Sequence, residues 1–194
     1  MKMVAISQRV DALPQRNETR DALDQRLAAF VATCGYLAVP VPNALGTALF
    51  DWLTFVQPSA VLLSGGNDIG QYADRDDTER VLLVHAKERQ LPALGICRGM
   101  QMMAHWAGAG LQPVSGHVKT RHRLNGEISA EVNSYHGHSL VYCPKGFEVL
   151  ARSEDGEIEA IRHLSLPWEG WMWHPEREAL FASHDIERLK GLFV

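Results

Sequence analysis

Long hydrophobic runs, clustered cysteines and an excess of basic charge are all missing from this sequence of 194 residues. Its opening apolar run ends before Arg9, which is too short for a secretory signal or a membrane span, and no later segment is apolar for long enough to cross a bilayer. The formal net charge of −4 excludes a globally basic surface for nucleic acid. We therefore expect no nucleic-acid or membrane partner.

Cysteine is scarce, with only Cys34, Cys97 and Cys143, and these lie far apart in the sequence. Their odd number and wide spacing argue against a disulfide framework, and also against a zinc site built from neighbouring cysteines and histidines. We expect a reducing, cytoplasmic environment, no metal ion, and at least one thiol that is free for chemistry.

The residues that are present suit a single α/β domain over residues 1–194. Hydrophobic residues make up 46% and charged residues 22%, a mixture that can build a core of ordinary size. In the first half, short β-type runs alternate with helical patterns, which predicts a parallel sheet covered on both faces by helices. The predicted strands are 3–7, 37–40, 60–63 and 93–96, and the predicted helices are 18–33 (capped by Asn17), 45–56, 78–89 and 98–107.

The second half changes to closely spaced strands. We predict strands at 127–132, 147–151, 157–162 and 169–173, a hairpin turn at Asp155-Gly156, and a closing helix at 185–192. The expected architecture is a three-layer α/β sandwich with a mixed, mostly parallel sheet and an antiparallel extension.

A candidate nucleophile, Cys97, lies where a predicted strand passes into a helix. Gly95 and Gly99 flank it two residues away on either side, which leaves room for the tight turn of a nucleophile elbow. The positive end of the following helix would favour a thiolate. Taken alone, the motif also suits a buried structural cysteine at an ordinary turn.

A second candidate is the run His174-Pro175-Glu176. In an extended chain, residues two apart project to the same side, so the carboxylate of Glu176 can orient the His174 ring. In isolation, a loop histidine beside a solvated glutamate is the more common interpretation.

Two further segments can line a pocket. Gly65 and Gly66 follow a strand and can turn N–H groups toward a developing oxyanion, although a simple glycine turn is commoner. The polar loop contains Asn133, Ser134, Tyr135 and His136, and it also suits an ordinary surface loop.

These four motifs, in this order, resemble the class I glutamine amidotransferase superfamily over nearly the whole chain. The resemblance implies a flavodoxin-like fold, with Cys97 as nucleophile and His174 and Glu176 as its activating pair. It also implies oxyanion donors at the N–H groups of Gly66 and Arg98. Contacts to the glutamyl group are implied from Gln101 and from the backbone of 134–136, and no cofactor is needed.

Details favour a γ-glutamyl hydrolase branch. The arginine after the nucleophile, the pattern Arg75-Asp76-x-x-Glu79 and the loop 132–136 resemble enzymes such as γ-glutamyl-γ-aminobutyrate hydrolase. The short loop after the glycines and the region 118–132 are more similar to the compact γ-glutamyl-CDP-amidate hydrolases. The implied reaction releases glutamate and an amine from a small γ-glutamyl amide through a thioester.

Two alternatives stay open, and so does the oligomeric state. One is a glutaminase that supplies ammonia to a synthase partner; the other is a non-catalytic binding or sensor module on the same fold, against which the intact Cys97, His174 and Glu176 argue. The basic run 117–123 is most simply a solvated loop. The resemblance implies an anionic, nucleotide-like leaving group, however, and we expect Arg121, Arg123 and Arg98 to bind it.

Overall fold

The computed structural model describes residues 1–194 and contains fourteen strands and five α-helices. The strands are β1 (Met3–Ile6), β2 (Arg9–Leu13), β3 (Glu18–Ala22), β4 (Leu37–Pro40), β5 (Ala60–Leu63), β6 (Ala93–Ile96), β7 (Leu111–Pro113), β8 (Val118–Arg123), β9 (Asn125–Gly126), β10 (Glu131–Tyr135), β11 (His138–Leu140), β12 (Phe147–Arg152), β13 (Ile158–His163) and β14 (Trp168–Trp171). The helices are α1 (Gln25–Thr33), α2 (Leu49–Val56), α3 (Ala73–Glu88), α4 (Arg98–Trp106) and α5 (Ser183–Leu192). Three short 3₁₀ turns cover Pro14–Arg16, Asn43–Ala48 and Pro175–Arg177.

Eight strands form the central sheet, in the order β4-β1-β5-β6-β14-β13-β12-β9. The pairs from β4 to β14 are parallel, and those from β14 to β9 are antiparallel. Strands β5, β6 and β14 are buried along their whole length, as expected of strands that helices cover on both faces.

The hydrophobic core divides into two clusters, one on each face of the sheet. Helices α1 and α5 contribute Phe30 and Leu189 to one cluster. Helices α2, α3 and α4 contribute Leu53, Leu82 and Met100 to the other. The predicted three-layer α/β sandwich with a mixed sheet is thereby confirmed.

The order of the sheet places three chain segments at one edge. Strands β5, β6 and β14 are neighbours and parallel, so the residues that follow Leu63, Ile96 and Trp171 emerge side by side. Ligands of open α/β sheets bind at this carboxyl edge.

The predicted helix 18–33 is wrong over residues 18–24, nearly half of its length. Residues 9–13 and 18–22 form the antiparallel hairpin β2–β3, and α1 begins only at Gln25. Asp24 caps this helix by accepting a hydrogen bond from the Arg26 N–H at 2.9 Å. Asn17 is not a helix cap but a left-handed residue, with φ of 51°, in the hairpin connection. The apolar periodicity that predicted the helix begins at Leu23.

Smaller differences have local causes. The predicted helix 45–56 is broken at Gly46, whose φ is 52°, and only its second part is α-helical. The predicted strand 127–132 is replaced by β9 before it and β10 at its end. Helix α3 begins five residues earlier than predicted. None of the helices has the length and apolar character that a membrane crossing requires.

Candidate active site

Cys97 lies on a strained turn between β6 and α4. Its φ is 52° and its ψ is −108°, an unfavourable conformation for a residue with a side chain. A Cβ on Gly95 would lie 2.5 Å from the Gly99 carbonyl carbon, and a Cβ on Gly99 would lie 2.1 Å from the Leu63 carbonyl oxygen. Neither position can accept a side chain, because a neighbouring stretch of backbone lies too close.

The thiol opens onto a cavity of about 200 Å³. Several of the predicted site residues line this cavity together with Cys97: Gly66, Arg98, Gln101, Tyr135, His136 and His174. Asn67, Asp68, Gly137, His138 and Arg177 complete its wall. Gly65 and Glu176 line a neighbouring cavity instead, and Asn133 and Ser134 are buried.

His174 and Glu176 form a buried pair, with 2.7 Å between Nδ1 and Oε1. Burial disfavours the imidazolium, but the Cys97 sulfur and the Glu176 carboxylate outweigh it and raise the pKa of His174 to about 9. Gly65 makes room for the ring, because a Cβ there would lie 2.7 Å from His174 Cε1. The ring is thus held between a carboxylate and a thiol.

Asn133 holds the backbone of His174. Its Nδ2 donates to the His174 carbonyl at 2.8 Å, and its Oδ1 accepts from the His174 N–H at 3.0 Å. The same Nδ2 donates to Glu178 Oε1 at 2.8 Å. The amide, which we predicted to bind substrate, is occupied in positioning the histidine.

Arg75 organises the glycine loop. This fully buried guanidinium donates to the carbonyls of Ser64 at 2.8 Å, Gly65 at 3.0 Å and Gly66. The Ser64 amide donates to Ser7 Oγ at 2.9 Å, which leaves the amides of Gly65 and Gly66 to face a ligand. In the sequence, the Arg75-Asp76-x-x-Glu79 pattern counts only as part of the resemblance. Nothing in the sequence indicates that Arg75 binds the glycine loop.

The guanidinium of Arg98 is buried away from the cavity mouth. It is paired with Asp76 and Glu79, and its side chain is only 3% exposed. The prediction that this guanidinium binds a leaving group is therefore wrong. As the first residue of α4, Arg98 still has a backbone N–H without an intrahelical partner.

The other residues that were predicted to contact substrate have different positions and partners. Gln101 donates to the His138 carbonyl at 3.0 Å, which supports the loop opposite Cys97. Ser134 donates to the His117 carbonyl at 2.7 Å and is fully buried. The Tyr135 ring meets the His174 ring edge-on at 5.9 Å. The ring of His136 turns away from the cavity, toward His117.

The basic run does not line the cavity. Arg121 is held by Glu131 at 2.9 Å and by Glu178 at 2.9 Å, and these hydrogen bonds raise its pKa, that to Glu131 most strongly. Arg123 is exposed on β8. The predicted role of these two arginines in binding a leaving group is thus not supported by their positions.

Two other arginines lie at the site and were missed. Arg177 lines the Cys97 cavity, and its guanidinium lies 4.5 Å from the centre of the Tyr135 ring. It also lines a second cavity, of about 270 Å³, with Arg9 and His174. Arg177 directly follows the His-Pro-Glu run, whereas Arg9 reaches the site only through the unpredicted hairpin β2–β3.

A family model described as glutamine amidotransferase class I matches residues 21–188. The chain belongs to the class I glutamine amidotransferase family. Accordingly it is an enzyme, and its class is that of hydrolases acting on carbon–nitrogen bonds. The predicted superfamily is confirmed.

The curated relatives include a γ-glutamyl hydrolase and several synthases. The chain is 34% identical over 140 residues to the γ-glutamyl-CDP-amidate hydrolase of Campylobacter jejuni subsp. jejuni serotype O:2, covering 69% of either chain. It is 29% identical over 154 residues to a glutamine-hydrolyzing GMP synthase subunit of Thermococcus kodakarensis, covering 74% of this chain and 80% of the relative.

Solved structures share the fold. A glutamine amidotransferase from Thermotoga maritima superposes with a TM-score of 0.66 at 17% identity, over 99% of this chain and 82% of its own. A protein from Thermoplasma acidophilum, described in connection with GMP synthase, gives 0.76 at 18% identity, over 100% and 94%.

Proposed function

We propose that this enzyme hydrolyses the amide bond of γ-glutamyl compounds, with Cys97 as nucleophile, His174 as acid and base, and Glu176 as the group that orients His174. The observation that carries the proposal is the strained Cys97 elbow, which opens onto one cavity with a His174 ring whose other nitrogen is bound to a buried carboxylate.

In the first step, the Cys97 thiolate attacks the side-chain carbonyl carbon of the γ-glutamyl group. The C–N bond breaks, and the imidazolium of His174 transfers its proton to the departing amine. A γ-glutamyl thioester remains on Cys97. The raised pKa of His174, at about 9, keeps this proton available at neutral pH.

The second step releases glutamate. Neutral His174 removes a proton from a water molecule, and the oxygen attacks the thioester carbonyl. The C–S bond breaks, and the thiolate and imidazolium pair is restored.

Two backbone amides support the oxyanion of each step. The Gly66 amide belongs to the loop whose carbonyls bind Arg75, and the Arg98 amide lies at the start of α4. Both residues line the cavity with Cys97. Oriented N–H groups in a site that excludes water stabilise such charge strongly.

An anionic, nucleotide-bearing amine is the leaving group that we favour. The similarity to a γ-glutamyl-CDP-amidate hydrolase supports it, at 34% identity. Arg177, in the wall of the Cys97 cavity, supplies a cation suited to phosphate in place of Arg121 and Arg123. Arg9, by contrast, lies in the adjoining cavity and is paired with Asp11.

The second candidate is a glutaminase that delivers ammonia to a synthase partner. Its support is the similarity to the glutamine-hydrolyzing GMP synthase relative, at 29% identity over 74% of this chain. The two candidates share the chemistry at Cys97 and differ in the amine released and in the need for a partner.

Glutamate release by the purified chain tests the proposal. We expect turnover of γ-glutamyl amides with anionic leaving groups without a partner, and a γ-glutamyl adduct on Cys97 visible by mass spectrometry. Cys97→Ser should lose activity by at least about a thousandfold, because the hydroxyl is a far weaker nucleophile. Cys143→Ser, a half-buried thiol outside the cavity, is the matched control.

Activity that survives Cys97→Ser would eliminate the mechanism. Activity that appears only with glutamine and a synthase partner would select the glutaminase.

A further inference from the structure

Three histidines and one glutamate that are scattered along the sequence converge behind the wall of the Cys97 cavity. They are His117, His122, His136 and Glu159, and one nitrogen or oxygen from each lies within 4.8 Å of the others. His117, His136 and Glu159 are buried to 2% exposure or less, and the side chain of His122 is 11% exposed. The proposed reaction at Cys97 uses none of these side chains.

Several separations between these atoms are close to those of a tetrahedral metal site, while the four atoms as a group span up to 4.8 Å. His117 Nδ1 lies 3.2 Å from His136 Nε2, and both lie 3.3 Å from Glu159 Oε1. His122 Nε2 lies 3.3 Å from Glu159 Oε2. Donors bound tetrahedrally to zinc at about 2.0–2.1 Å are separated from one another by roughly 3.3–3.4 Å.

Outer hydrogen bonds direct two ring nitrogens at the centre of the cluster. His117 Nε2 lies 2.8 Å from Asp155 Oδ2, and His136 Nδ1 lies 3.0 Å from the His138 carbonyl oxygen. Each of these contacts places the ring proton on its outer nitrogen. His117 Nδ1 and His136 Nε2 then present lone pairs to each other, which is the arrangement found in metal-bound histidines.

The polar atoms at the centre are poorly satisfied by the protein. Both carboxylate oxygens of Glu159 and His122 Nε2 are buried and have no partner with hydrogen-bond geometry. A fully buried carboxylate needs a cation close to it, and no lysine or arginine pairs with Glu159. One divalent ion at the centre would satisfy the carboxylate and all three lone pairs together.

We propose that His117, His122, His136 and Glu159 bind one divalent transition-metal ion, zinc by preference, with a structural role. Three imidazoles and a carboxylate are donors that zinc accepts in tetrahedral geometry, and all four positions are taken by protein, as in structural sites. The scattered cysteines made such a site unexpected from the sequence. Its ligands are His122 on β8, Glu159 on β13, His117 immediately before β8 and His136 immediately after β10.

The site would fix the loop that faces Cys97. His136 lies between Tyr135 and Gly137 in the cavity wall, while its own ring belongs to the cluster. The ion therefore ties the small sheet of β8 and β10 to β13 of the central sheet, and with it one wall of the cavity.

The test measures metal content in the Cys97→Ser background, so that the active-site thiol cannot bind metal. After expression with zinc, elemental analysis should find about one zinc ion per chain. Cobalt(II) added to chelator-stripped protein should give the intense visible bands of tetrahedral coordination. Both readouts are independent of catalysis and therefore of the proposed function.

Variants locate the ion. His122→Gln and Glu159→Gln should abolish stoichiometric zinc and the cobalt bands. Asp155→Asn changes an outer hydrogen bond to His117, and a local one from Ser153, on a half-exposed side chain that is not itself a ligand, and it should lower zinc affinity by roughly 10- to 100-fold. His105→Gln, an exposed histidine on α4 outside the cluster, is the control and should retain the ion.

Two results would overturn the proposal. One is folded Cys97→Ser protein that neither carries a divalent ion nor takes up zinc or cobalt at one equivalent. The other is full zinc binding by folded Asp155→Asn and His122→Gln proteins. Melting temperature with and without chelator separates loss of metal from loss of fold.

Discussion

At the scale of single residues, the groups that face the cavity are positioned by side chains of neighbouring residues. His174 is fixed by Glu176 through its ring and by Asn133 through its backbone. The loop of Gly66 is fixed by Arg75. The groups proposed to contact substrate are thus oriented before it arrives, which lowers the entropic cost of reaching the transition state.

The first prediction concerns the proton on His174. Its pKa is about 9 because Cys97 and Glu176 favour the imidazolium against burial. The proton is therefore present below pH 9 and is lost as the pH rises through that value, so kcat/KM should fall there. Glu176→Gln removes one of the raising causes and should shift this alkaline limb to lower pH.

The measurement is a pH–rate profile of wild-type enzyme and Glu176→Gln. His174→Ala, as the reference for loss of the base, should be less active than Glu176→Gln at every pH. If the alkaline fall in kcat/KM of Glu176→Gln occurs at the same pH as in the wild-type enzyme, or at a higher pH, the assigned role of Glu176 is contradicted.

Single residues also show what a sequence motif can predict and what it cannot. Cys97, His174 and Glu176 were predicted from short local motifs taken together and from the family resemblance that these motifs carry. The error at Arg98 arose because the direction of its guanidinium depends on Asp76 and Glu79, which lie about twenty positions earlier and meet it only in three dimensions. A local pattern fixes where a backbone turns, not where a long side chain finds its partner.

At the scale of elements, the elbow depends on close packing between β5, β6 and α4. Gly95 and Gly99 allow α4 to start directly against the ends of the two strands. The positive end of the helix thus comes close to the Cys97 sulfur.

The second prediction compares two glycines. Gly99→Ala places a Cβ 2.1 Å from the Leu63 carbonyl oxygen, so α4 must move, and we expect a loss of about 3 kcal/mol or more of unfolding free energy. Gly191→Ala, at an exposed position of α5 with open space around it, should stabilise the protein by up to about 1 kcal/mol. Urea denaturation measures both changes, and a Gly99→Ala protein as stable as wild type would show that the packing is not tight.

Strands and helices of the first half were largely predictable because buried apolar runs and amphipathic periods are local signals. Residues 18–22 were not, because their exposed, polar strand is stabilised by pairing with β2. The Asn67 side chain, 57 positions further along the chain, also binds this hairpin by accepting from the Val10 N–H at 2.7 Å. Such long-range pairing leaves no period in the sequence.

At the scale of the whole molecule, the chain is negative while the mouth of the site carries arginines. The net charge of −4 gives no general attraction for anions. Arg177, with its side chain about one-third exposed, is a local exception beside Tyr135. Selectivity for an anionic leaving group would then come from one side of the cavity.

The third prediction follows from that asymmetry. Arg177→Gln should raise KM roughly tenfold for γ-glutamyl substrates with phosphate-bearing leaving groups, the effect of losing one charge-assisted hydrogen bond. It should also weaken their salt dependence. Hydrolysis of glutamine should change little, and Arg123→Gln, an exposed arginine on β8, should change neither.

Equal losses on both substrates would show that Arg177 acts through its neighbour Glu176, 3.9 Å away. Unchanged kinetics on both would remove Arg177 from the leaving-group site.

The position of β14 in the sheet has a consequence for biosynthesis. It lies between β6 and β13, yet it follows β6 by about 70 residues along the chain. A ribosome that adds roughly 5–20 residues per second needs about 4–15 s to cover that distance. Throughout this interval β6 has an unpaired edge next to the newly made Cys97 turn, and such edges attract other strands. The nascent enzyme is therefore most in need of a chaperone just before its last central strand emerges.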